Sequence, residues 1–383
     1  MVSKTGKTRT RAKNSMRILQ LVTRSEAGGA QSIVRTLANE LSARGHTIAI
    51  ASGPEGAGEA WQGLTSEIER IVIPSLVRSV HPFHDMHAFF EIAQTYRDWR
   101  PDIVHLHTSK AAALGRLVPG HRVPAMVYTM HGYDQLAIAN RSFLAVDKML
   151  KHKCGAVVAV SQHDLEHMRQ DGYKPIYIPN AVPDCRSFGE TQNLILKIIE
   201  QLKSNGKLIA LVIARNAPPK RIDILRDAAR FIDTKLHILW IGGTSNPDDP
   251  PNFTALGAIP DAAVLLRYTH MYMLASDHEG MPVSILEAFS AGLPVVSSSV
   301  GGIPELMGLP STSRQSAEIL ETPCGFLVQN KPENFAMALN NLVRDPQKRA
   351  QMAHTARLTW EREYSATLMT ERYERLYNEL IRS

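Results

Sequence analysis

Strand, turn and helix follow one another in the segment Ser276-Asp277-His278-Glu279-Gly280-Met281-Pro282-Val283-Ser284-Ile285-Leu286-Glu287-Ala288. The apolar run just before it, residues 270–275, is typical of a buried strand. Ile285, Leu286 and Phe289 then recur with helical spacing, which indicates that a helix has begun. The segment therefore predicts a buried strand that turns sharply into a helix.

Two carboxylates flank this turn. Pro282 suits the first helical position, because its ring presets φ and its missing N–H would have no partner there. We therefore expect Glu279 in the turn, beside the anion-favouring start of the helix, and Glu287 inside the helix. Eight helical residues would separate them by about 12 Å, too far to share one catalytic water but suited to the two ends of an extended polyol such as a nucleotide sugar. Two solvated glutamates are the alternative.

The residues around this pair form a longer pattern. It comprises Ser276, Ala288, Gly292, Pro294-Val295-Val296 and Gly301-Gly302-Ile303-Pro304-Glu305. Together with the Glu-(x)7-Glu pair, the pattern resembles the signature of retaining glycosyltransferase family 4. The resemblance implies that Glu287 binds ribose hydroxyls and that Glu279 lies beside the donor sugar.

Length and composition favour a globular protein of two domains. The chain has 383 residues, of which 44% are hydrophobic, and this is enough to fill two cores. Its three cysteines, Cys154, Cys185 and Cys324, are too few and too scattered for a disulfide framework or a familiar metal site. A reducing cytosol is therefore the simplest location.

The first 15 residues form a basic tail. They contain five lysines and arginines and no acidic residue, and so account for most of the formal net charge of +6. The pI of 9.2 is thus largely a property of the tail and gives little support to nucleic-acid binding. We predict a disordered extension, with contact to an anionic membrane as the alternative. Because no apolar signal region or run of roughly 20 apolar residues occurs, we expect a cytoplasmic protein, free or at the inner face of the membrane.

A glycine pair lies where the first predicted strand, residues 16–22, meets the first predicted helix, residues 28–44. Gly28 and Gly29 in such a turn let a phosphate approach the backbone N–H groups of the helix start. A tight loop without a ligand is the alternative, and the Gly-x-Gly-x-x-Gly fingerprint of dehydrogenases is absent. In place and form the turn resembles the Gly-Gly loop of the same family.

Short apolar runs then alternate with helical stretches. The runs cover residues 47–51, 68–73, 102–107, 126–131, 156–161 and 176–179. Because they are nearly continuous rather than alternating, we expect strands covered on both faces, and hence a parallel sheet. Ligands of such sheets bind at the carboxyl ends of strands, where His107, His131 and Ser161 fall.

Among the histidines of this half, His131 carries the strongest functional signal. His131-Gly132, after Tyr128-Thr129-Met130, resembles the Thr-x-His-Gly motif whose histidine faces the donor sugar in the family. A structural role is the alternative for His131 and the favoured interpretation for His105 and His107.

The stretch between Asp102 and Asp134 has no acidic residue but contains Lys110, Arg116 and Arg122. A surface of one charge sign could receive a phosphate-bearing or membrane-embedded acceptor. A solvated basic face is an equal alternative.

The second half begins after a polar linker. Asn180-Ala181-Val182-Pro183 resembles the family's Asn-Gly-Val turn, and residues 183–191 predict a hinge. Residues 208–214 then read as a buried strand, followed by Arg215 and Lys220. A guanidinium and an ammonium on one loop could grip a diphosphate and stabilise its charge as it leaves. The pair resembles the family's Arg-(x)4-Lys, and two solvated side chains are the alternative.

The chain departs from the family after the next strand. The usual Gly-Asp/Glu-Gly is Gly242-Gly243-Thr244 here, and a segment rich in proline and aspartate, residues 246–251, replaces a full helix. Because this region frames the nucleobase in the family, the identity of the base stays open. Residues 325–328 resemble the family's last strand, and residues 346–383 read as helical with a break at Tyr364-Ser365.

We therefore predict an α/β protein of the GT-B class, two Rossmann-like parallel-sheet domains facing across a cleft. The predicted divisions are a disordered tail (1–15), an acceptor domain (16–185), a nucleotide-sugar domain (191–355) and a helix that returns to the first domain (356–383). The resemblance implies a retaining hexosyltransferase that uses a UDP-sugar or GDP-sugar and a glycan or lipid-linked acceptor in surface polysaccharide synthesis. No cofactor or metal is expected, because cationic side chains could stabilise the leaving group and no Asp-x-Asp occurs.

The expected site residues fall into two groups. The catalytic ones are Arg215, Lys220, Glu279 and His131. The donor-binding ones are Gly28, Gly29, Gly242, Gly280, Met281, Val283 and Glu287. Three alternatives stay open: a GT-B nucleotide-sugar epimerase, a non-catalytic homologue that acts as an assembly partner, and a nucleic-acid binder that works through the tail.

Overall fold

The computed structural model describes residues 15–119, 125–133, 141–187, 193–310 and 317–382. The predicted basic tail lies outside these ranges except for Ser15, and so does the second part of the predicted hinge.

The first half of the described chain builds one seven-stranded sheet. Its strands are β1 (Arg17–Val22), β2 (Thr47–Ser52), β3 (Glu69–Val72), β4 (Ile103–Leu106), β5 (Ala125–Met130), β6 (Ala156–Ala159) and β7 (Ile176–Tyr177). They lie in the order β3-β2-β1-β4-β5-β6-β7. The pairs β1–β2, β1–β4, β2–β3, β4–β5 and β6–β7 are parallel. The nearly continuous apolar runs thus form a parallel sheet, as predicted.

Helices connect these strands. They are α1 (Gly29–Ala43), α2 (Pro82–Trp99), α3 (Ser109–Leu117), α4 (Arg141–Leu150) and α5 (Gln162–Gln170), with short 3-10 turns at Glu59–Trp61, Lys151–Lys153 and Cys185–Ser187. One side of α1 buries Ile33, Val34 and Leu37, the pattern expected of a helix packed on a sheet.

The second half builds another seven-stranded sheet. Its strands are β8 (Leu208–Ile213), β9 (Leu236–Ile241), β10 (Phe253–Ala255), β11 (Met271–Leu274), β12 (Val295–Ser298), β13 (Ile319–Thr322) and β14 (Gly325–Val328). Their order is β10-β9-β8-β11-β12-β14-β13. The expectation of a purely parallel sheet is wrong at one edge, because β13 runs antiparallel to β14.

The connecting helices are α6 (Asn193–Ser204), α7 (Ile222–Ala228), α8 (Val283–Ala291), α9 (Ile303–Leu306), α10 (Pro332–Arg344), α11 (Pro346–Thr359) and α12 (Ala366–Arg382). A 3-10 segment, Ala262–Tyr268, had no counterpart in the prediction. Between α11 and α12 the chain forms a π-helical turn, Trp360–Tyr364, and then leaves helical geometry at Ser365. The predicted break at Tyr364-Ser365 is therefore confirmed.

Compactness divides the chain into two units. The first comprises Met1–Thr129, Leu150–Ala156 and Tyr373–Ser383, and the second comprises Met130–Met149 and Val157–Arg372. The last part of α12 therefore belongs to the first unit, although most of the preceding chain belongs to the second.

His105 and His107 are structural residues of the first unit. His105 is fully buried, with its Nδ1 2.6 Å from the Tyr377 hydroxyl and its Nε2 2.7 Å from Thr129 Oγ1. His107 is also buried, and its Nε2 lies 2.5 Å from Gln20 Oε1. Both imidazoles thus satisfy polar groups inside the core, as the favoured interpretation held.

The sequence predicts a basic surface after Asp102, and this prediction is wrong for two of the three cations, which are buried. Lys110 is 7% exposed and pairs with Asp85, and Arg116 is 2% exposed and stacks 5.0 Å from the centre of the Tyr128 ring. Neither offers its charge to a ligand from solvent. Arg122 lies outside the described residues.

Candidate functional site

The loop after β11 is fixed before it reaches Glu279. The Ser276 hydroxyl donates to Pro219 O at 3.1 Å or His278 O at 3.2 Å, and the Ser276 amide donates to Ser298 Oγ at 2.9 Å. Because Ser276 is fully buried, these bonds are shielded from water. The turn that carries Glu279 therefore starts from a rigid point.

The loop after β8 is joined to the same turn. Lys220 and Ser276 form an antiparallel bridge, the Asp277 amide donates to Pro219 O at 2.9 Å, and the Arg221 amide donates to Ala275 O at 3.0 Å. Since β8 and β11 are parallel neighbours, both loops leave the same edge of the sheet. This is the edge at which parallel sheets bind ligands.

Lys220 and Glu279 meet at this edge as an ion pair between Nζ and Oε1. The lysine side chain is 21% exposed and the glutamate side chain 9% exposed. A carboxylate so nearly buried depends on its cation, since an unpaired charge in that environment is costly. The prediction that the cationic loop and the first glutamate meet is confirmed for Lys220.

Arg215 lies on the same loop but faces solvent. Within the described part of the chain, its guanidinium makes no hydrogen bond or ion pair. The backbone next to it is crowded, because a Cβ on Gly242 would lie 2.2 Å from Ala214 O, and Gly242 has a φ of +122°. Gly242 therefore allows β9 to end close beside the start of the cationic loop. The exposed side chain of Arg215 can reach a ligand.

Helix α8 begins one residue later than the sequence predicts. Pro282 is the N-cap, with extended φ and ψ of −70° and 118°, and Val283 is the first helical residue. No side chain caps this end, so the first amides, those of Val283 and Ser284, have no intrahelical acceptor. Such an uncapped start is suited to an anion.

The late start of α8 also changes the expected spacing of the two glutamates. Glu279 lies in the non-helical turn, and only the step from Val283 to Glu287 is helical, which rises about 6 Å. The expected separation of eight helical residues is therefore wrong. Glu287 lies in the second turn of the helix and is partly buried.

Three glycines make the turn around Glu279 sterically feasible. Gly301 has a φ of +53°, and a Cβ there would lie 1.7 Å from Glu279 O. A Cβ on Gly302 would lie 2.1 Å from Gly280 O, and the Gly302 amide donates to Glu279 O at 3.1 Å. A Cβ on Gly280 would lie 3.1 Å from Gly132 Cα. The backbones of three separate loops thus meet where only glycine fits.

His131 directly follows β5 and precedes Gly132, whose backbone approaches Gly280. Burial lowers its pKa to about 4, against an opposing effect of a hydrogen bond with the Asn180 side chain. Asn180 also donates through Nδ2 to Met281 O at 3.3 Å. A neutral imidazole is therefore linked, through one amide side chain, to the backbone just before α8.

We expect His131 to remain neutral at pH 7 and to titrate near pH 4, below its ordinary value of 6.5. Between these values the unfolded chain binds more protons, so the stability due to neutral His131 is complete above pH 6.5 and is lost as the pH falls toward 4. An NMR titration of the His131 ring tests this directly. His131→Gln should also flatten the acid-side fall in melting temperature, although His270, with a similarly lowered pKa, keeps its share of that fall. A ring titration midpoint at 6.5 or above would contradict the assignment.

Two polar residues of the site had no predicted role. Asp164 is fully buried, accepts from the Tyr133 amide at 3.2 Å, and has its Oδ2 3.1 Å from where a Cβ on Gly280 would be. A sequence signal for it exists, because Ser161 and Asp164 have the spacing of a capping box, and Ser161 Oγ accepts from the Asp164 amide at 3.0 Å. For Asn180 the sequence predicts only a place in a turn.

Gly28 and Gly29 belong to the first unit. Gly28 is the N-cap of α1 with an extended φ of −174°, and α1 has no side-chain cap. A Cβ on Gly28 would meet only the movable end of the Gln31 side chain, at 2.8 Å. The fold itself therefore tolerates other residues here, and phosphate binding by this pair stays a prediction.

Within the described ranges, no group of three or more His, Cys, Asp or Glu side chains is placed to hold a metal ion. The same ranges contain no helix that is both long enough and apolar enough to cross a bilayer. Cys154, Cys185 and Cys324 are not joined to one another by disulfide bonds.

Comparison with known proteins finds matches across both sheets. The family model described as Glycosyltransferase Family 4 matches residues 27–186, and the model described as Glycosyl transferases group 1 matches residues 207–345. The two matches contain the first glycine pair, His131, the cationic loop and both glutamates of the site.

Individual relatives agree with these models. The chain is 28% identical over 267 residues to the Escherichia coli UDP-Gal:alpha-D-GlcNAc-diphosphoundecaprenol alpha-1,3-galactosyltransferase, covering 62% of this chain and 68% of that protein. It is 24% identical over 377 residues to the O-antigen biosynthesis glycosyltransferase WbnH of Escherichia coli, covering 94% and 98%. The crystal structure of Anabaena Alr3699/HepE in complex with UDP and glucose superposes with a TM-score of 0.77 at 19% identity, covering 95% and 100%. This last likeness shows the fold, two parallel-sheet α/β domains of the GT-B class.

Proposed function

This chain belongs to glycosyltransferase family 4, and we propose that it is a retaining enzyme that moves a sugar from a nucleotide-sugar donor to a lipid-linked glycan acceptor. Glycosyl transfer is what the two Escherichia coli relatives have in common, and WbnH is named for O-antigen biosynthesis. The nucleotide-sugar donor, the lipid-linked acceptor and the retention of configuration go beyond this shared activity and are our proposal.

The observation that carries the proposal is the ion pair of Lys220 and Glu279 at the ligand-binding edge of the second sheet. A diphosphate needs a cation that can exchange its partner, and Lys220 is 21% exposed while held by a single carboxylate oxygen. When a nucleotide sugar enters, its diphosphate oxygens take over Lys220, and Glu279 is then available to the sugar hydroxyls. Arg215, exposed on the same loop, adds a second cation.

Helix α8 orders the rest of the donor along one line. Its uncapped start, at Val283, directs backbone amides and the positive end of the helix dipole toward the diphosphate. Glu287, about one turn further along, binds the ribose hydroxyls. On the other side of the Glu279 turn, the neutral imidazole of His131 can exchange hydrogen bonds with the sugar without adding charge.

Catalysis in this arrangement is stabilisation of the leaving group. The bond between the sugar C1 and the diphosphate oxygen breaks, the oxygen of the acceptor hydroxyl bonds to C1, and the hydroxyl proton is released. Negative charge grows on the departing nucleoside diphosphate, next to Lys220, Arg215 and the start of α8, and such preorganised charges commonly supply several kcal/mol. Retention of anomeric configuration and independence of metal ions rest on family membership.

A lipid-linked acceptor is the choice that the relatives support. The Escherichia coli galactosyltransferase is named for an acceptor on diphosphoundecaprenol, and WbnH for O-antigen biosynthesis. A nucleotide-sugar epimerase is the alternative, and it would turn over the donor with no acceptor present. The presence of Lys220, Glu279, Glu287 and Arg215 together argues against a non-catalytic assembly partner.

We expect a UDP-sugar or a GDP-sugar to raise the melting temperature and an ADP-sugar to have less effect. A ligand at about 100 times its dissociation constant adds about 2.7 kcal/mol to the free energy of unfolding. The measurement is a thermal-shift screen of UDP-, GDP- and ADP-glucose and their N-acetylhexosamine counterparts. If none of them raises the melting temperature, the donor assignment is wrong. Release of epimerised nucleotide sugar without acceptor would instead favour the epimerase.

A further inference from the structure

Helix α2 carries apolar side chains on two opposite sides, with polar residues between them. Its inner face buries Ala88, Ile92, Tyr96 and Trp99, as expected for a helix packed on a sheet. A helix packed on a sheet normally presents polar residues to solvent. The outer side of α2 is open to solvent but also carries large apolar side chains.

The exposed apolar side chains of this region are large and close together. Phe83 is 69% exposed, Phe90 61% and Met86 49%, and Val80, just before the helix, is 64% exposed. Phe83, Met86 and Phe90 are spaced three and four residues apart, so they lie along one side of the helix. These four residues, here called the docking face, make up four of the 13 exposed large hydrophobic residues of the described chain. Such clustering marks an interaction site rather than chance exposure.

The docking face is held on a rigid support. Lys110 is buried, and its Nζ donates to Val77 O at 2.7 Å and Ser79 O at 2.6 Å. The same ammonium pairs with Asp85 in the first turn of α2. One cation therefore ties the loop before α2 to the start of the helix, and Val80 and Phe83 project from an anchored segment.

The charges around the docking face favour an anionic partner. Of the three acidic residues of α2, Asp85 is neutralised by Lys110, and Glu91 accepts from the amide and hydroxyl of Ser75, both at 3.0 Å. The third, Asp98, is exposed and accepts from Gln94 at 2.7 Å. The half-buried Glu55 accepts from the Arg78 backbone amide at 2.8 Å, so one further carboxylate lies near the start of the face. The exposed side chains of Arg78 and Arg97 flank the face in sequence and outnumber Asp98, the one exposed carboxylate of α2.

We propose that the docking face seats this protein on a bilayer surface that contains anionic phospholipid. Phenylalanine and methionine side chains enter the boundary between headgroups and acyl chains, and the two arginines pair with lipid phosphates. The inference rests on the proposed lipid-linked acceptor, because an enzyme whose acceptor is membrane-embedded gains from a surface that holds it there. A second copy of the chain could cover the same apolar residues, and the test separates the two.

The experiment is flotation of the full chain with phosphatidylcholine vesicles in which about a third of the lipid is phosphatidylglycerol. We expect the wild type to float and the double variant Phe83→Ser/Phe90→Ser to partition at least about tenfold less, since two large apolar groups no longer leave water. Phe231→Ser is the matched control, because Phe231 is 53% exposed but lies in the second unit. It should float like the wild type. Arg78→Gln/Arg97→Gln should weaken flotation with these vesicles more than with pure phosphatidylcholine.

Each outcome has a defined meaning. Equal flotation of the wild type and the double phenylalanine variant overturns the proposal, as does binding that disappears only when residues 1–14 are deleted. A wild type that is dimeric by light scattering, does not float, and becomes monomeric in the double variant assigns the face to a second copy and also overturns it. The thermal shift caused by the donor should be the same in all variants. If the donor causes no thermal shift in the wild type, this result counts against the proposed function. The flotation result then still decides whether the docking face binds the membrane.

Discussion

Replacing Lys220 with alanine is expected to lower kcat at least about a hundredfold, more than the accompanying loss of stability from unpairing Glu279 can explain. The lysine is the only cation that touches Glu279 among the described side chains, and it lies where the diphosphate of the donor is proposed to leave. Its charge is needed most when negative charge develops on the leaving group, so its loss should appear in kcat rather than in KM alone. Lys220→Arg keeps the charge and should recover part of the rate.

The control for this prediction is an ion pair of the same type on the surface. Lys331 pairs with Glu318, with side-chain exposures of 52% and 60%, so Lys331→Ala should change neither turnover nor stability by a measurable amount. The measurements are steady-state kinetics with the donor found by the thermal-shift screen, and melting curves for each variant. A Lys220→Ala protein that loses activity only in proportion to its loss of folded material would assign Lys220 a structural role.

Gly301→Ala should be the most damaging conservative substitution in the site. Its Cβ would lie 1.7 Å from Glu279 O, and a φ of +53° is unfavourable for any residue with a Cβ. Relief of this clash requires the Glu279 turn to move, which would separate its carboxylate from Lys220. We expect kcat/KM to fall about a hundredfold or more, since displacements of about 1 Å at a reacting centre have effects of this size.

Gly206→Ala is the control that shows the cost of a positive φ without a steric clash. Gly206 also has a positive φ, +72°, but a Cβ there has nothing within 4 Å. It should therefore cost about 1–2 kcal/mol of stability and leave kinetics unchanged. Circular-dichroism melts and kinetics of both variants test the comparison. If Gly301→Ala behaved like Gly206→Ala, close contact between the Gly301 and Glu279 backbones would not matter for activity.

Much of the fold could be predicted from local patterns. Runs such as residues 208–214 are apolar throughout, and β8 proved to be buried on both faces because neighbouring helices cover it. The antiparallel strand β13 escaped prediction because it is short and mostly half-buried, and its sequence lacks a continuous apolar run. The 3-10 segment Ala262–Tyr268 likewise gives no periodic signal of its own.

The site was predictable where motif and chain order coincide. Lys220 and Glu279 follow neighbouring parallel strands, and this topology alone brings their loops together. The spacing of Glu279 and Glu287 was misjudged because helical geometry was assumed across a turn that is extended at Pro282. Asp164 lies in the first turn of α5 and Asn180 in the turn after β7, and their approach to Gly280 and Met281 depends on tertiary packing that no local pattern records.

Charge gave the least reliable signal. The sequence suggests that Lys110 is solvated, yet it is buried, because Asp85, 25 positions earlier, supplies the counter-charge and two loop carbonyls accept hydrogen bonds from its ammonium. Composition cannot show such pairing, since it depends on which helices pack together. The roles of all the predicted donor-binding and catalytic residues stay predictions.

Isothermal titration calorimetry with UDP, and with GDP in parallel, tests the diphosphate site directly. The proteins titrated are the wild type and the variants Lys220→Ala and Glu279→Gln. If the ammonium exchanges Glu279 for the diphosphate, Lys220→Ala should weaken binding at least about tenfold, equivalent to about 1.4 kcal/mol. Glu279→Gln, which removes the competing carboxylate, should bind the same nucleotide as tightly as the wild type or more tightly. A Lys220→Ala protein that binds UDP and GDP with wild-type affinity would contradict the placement of the donor diphosphate on Lys220.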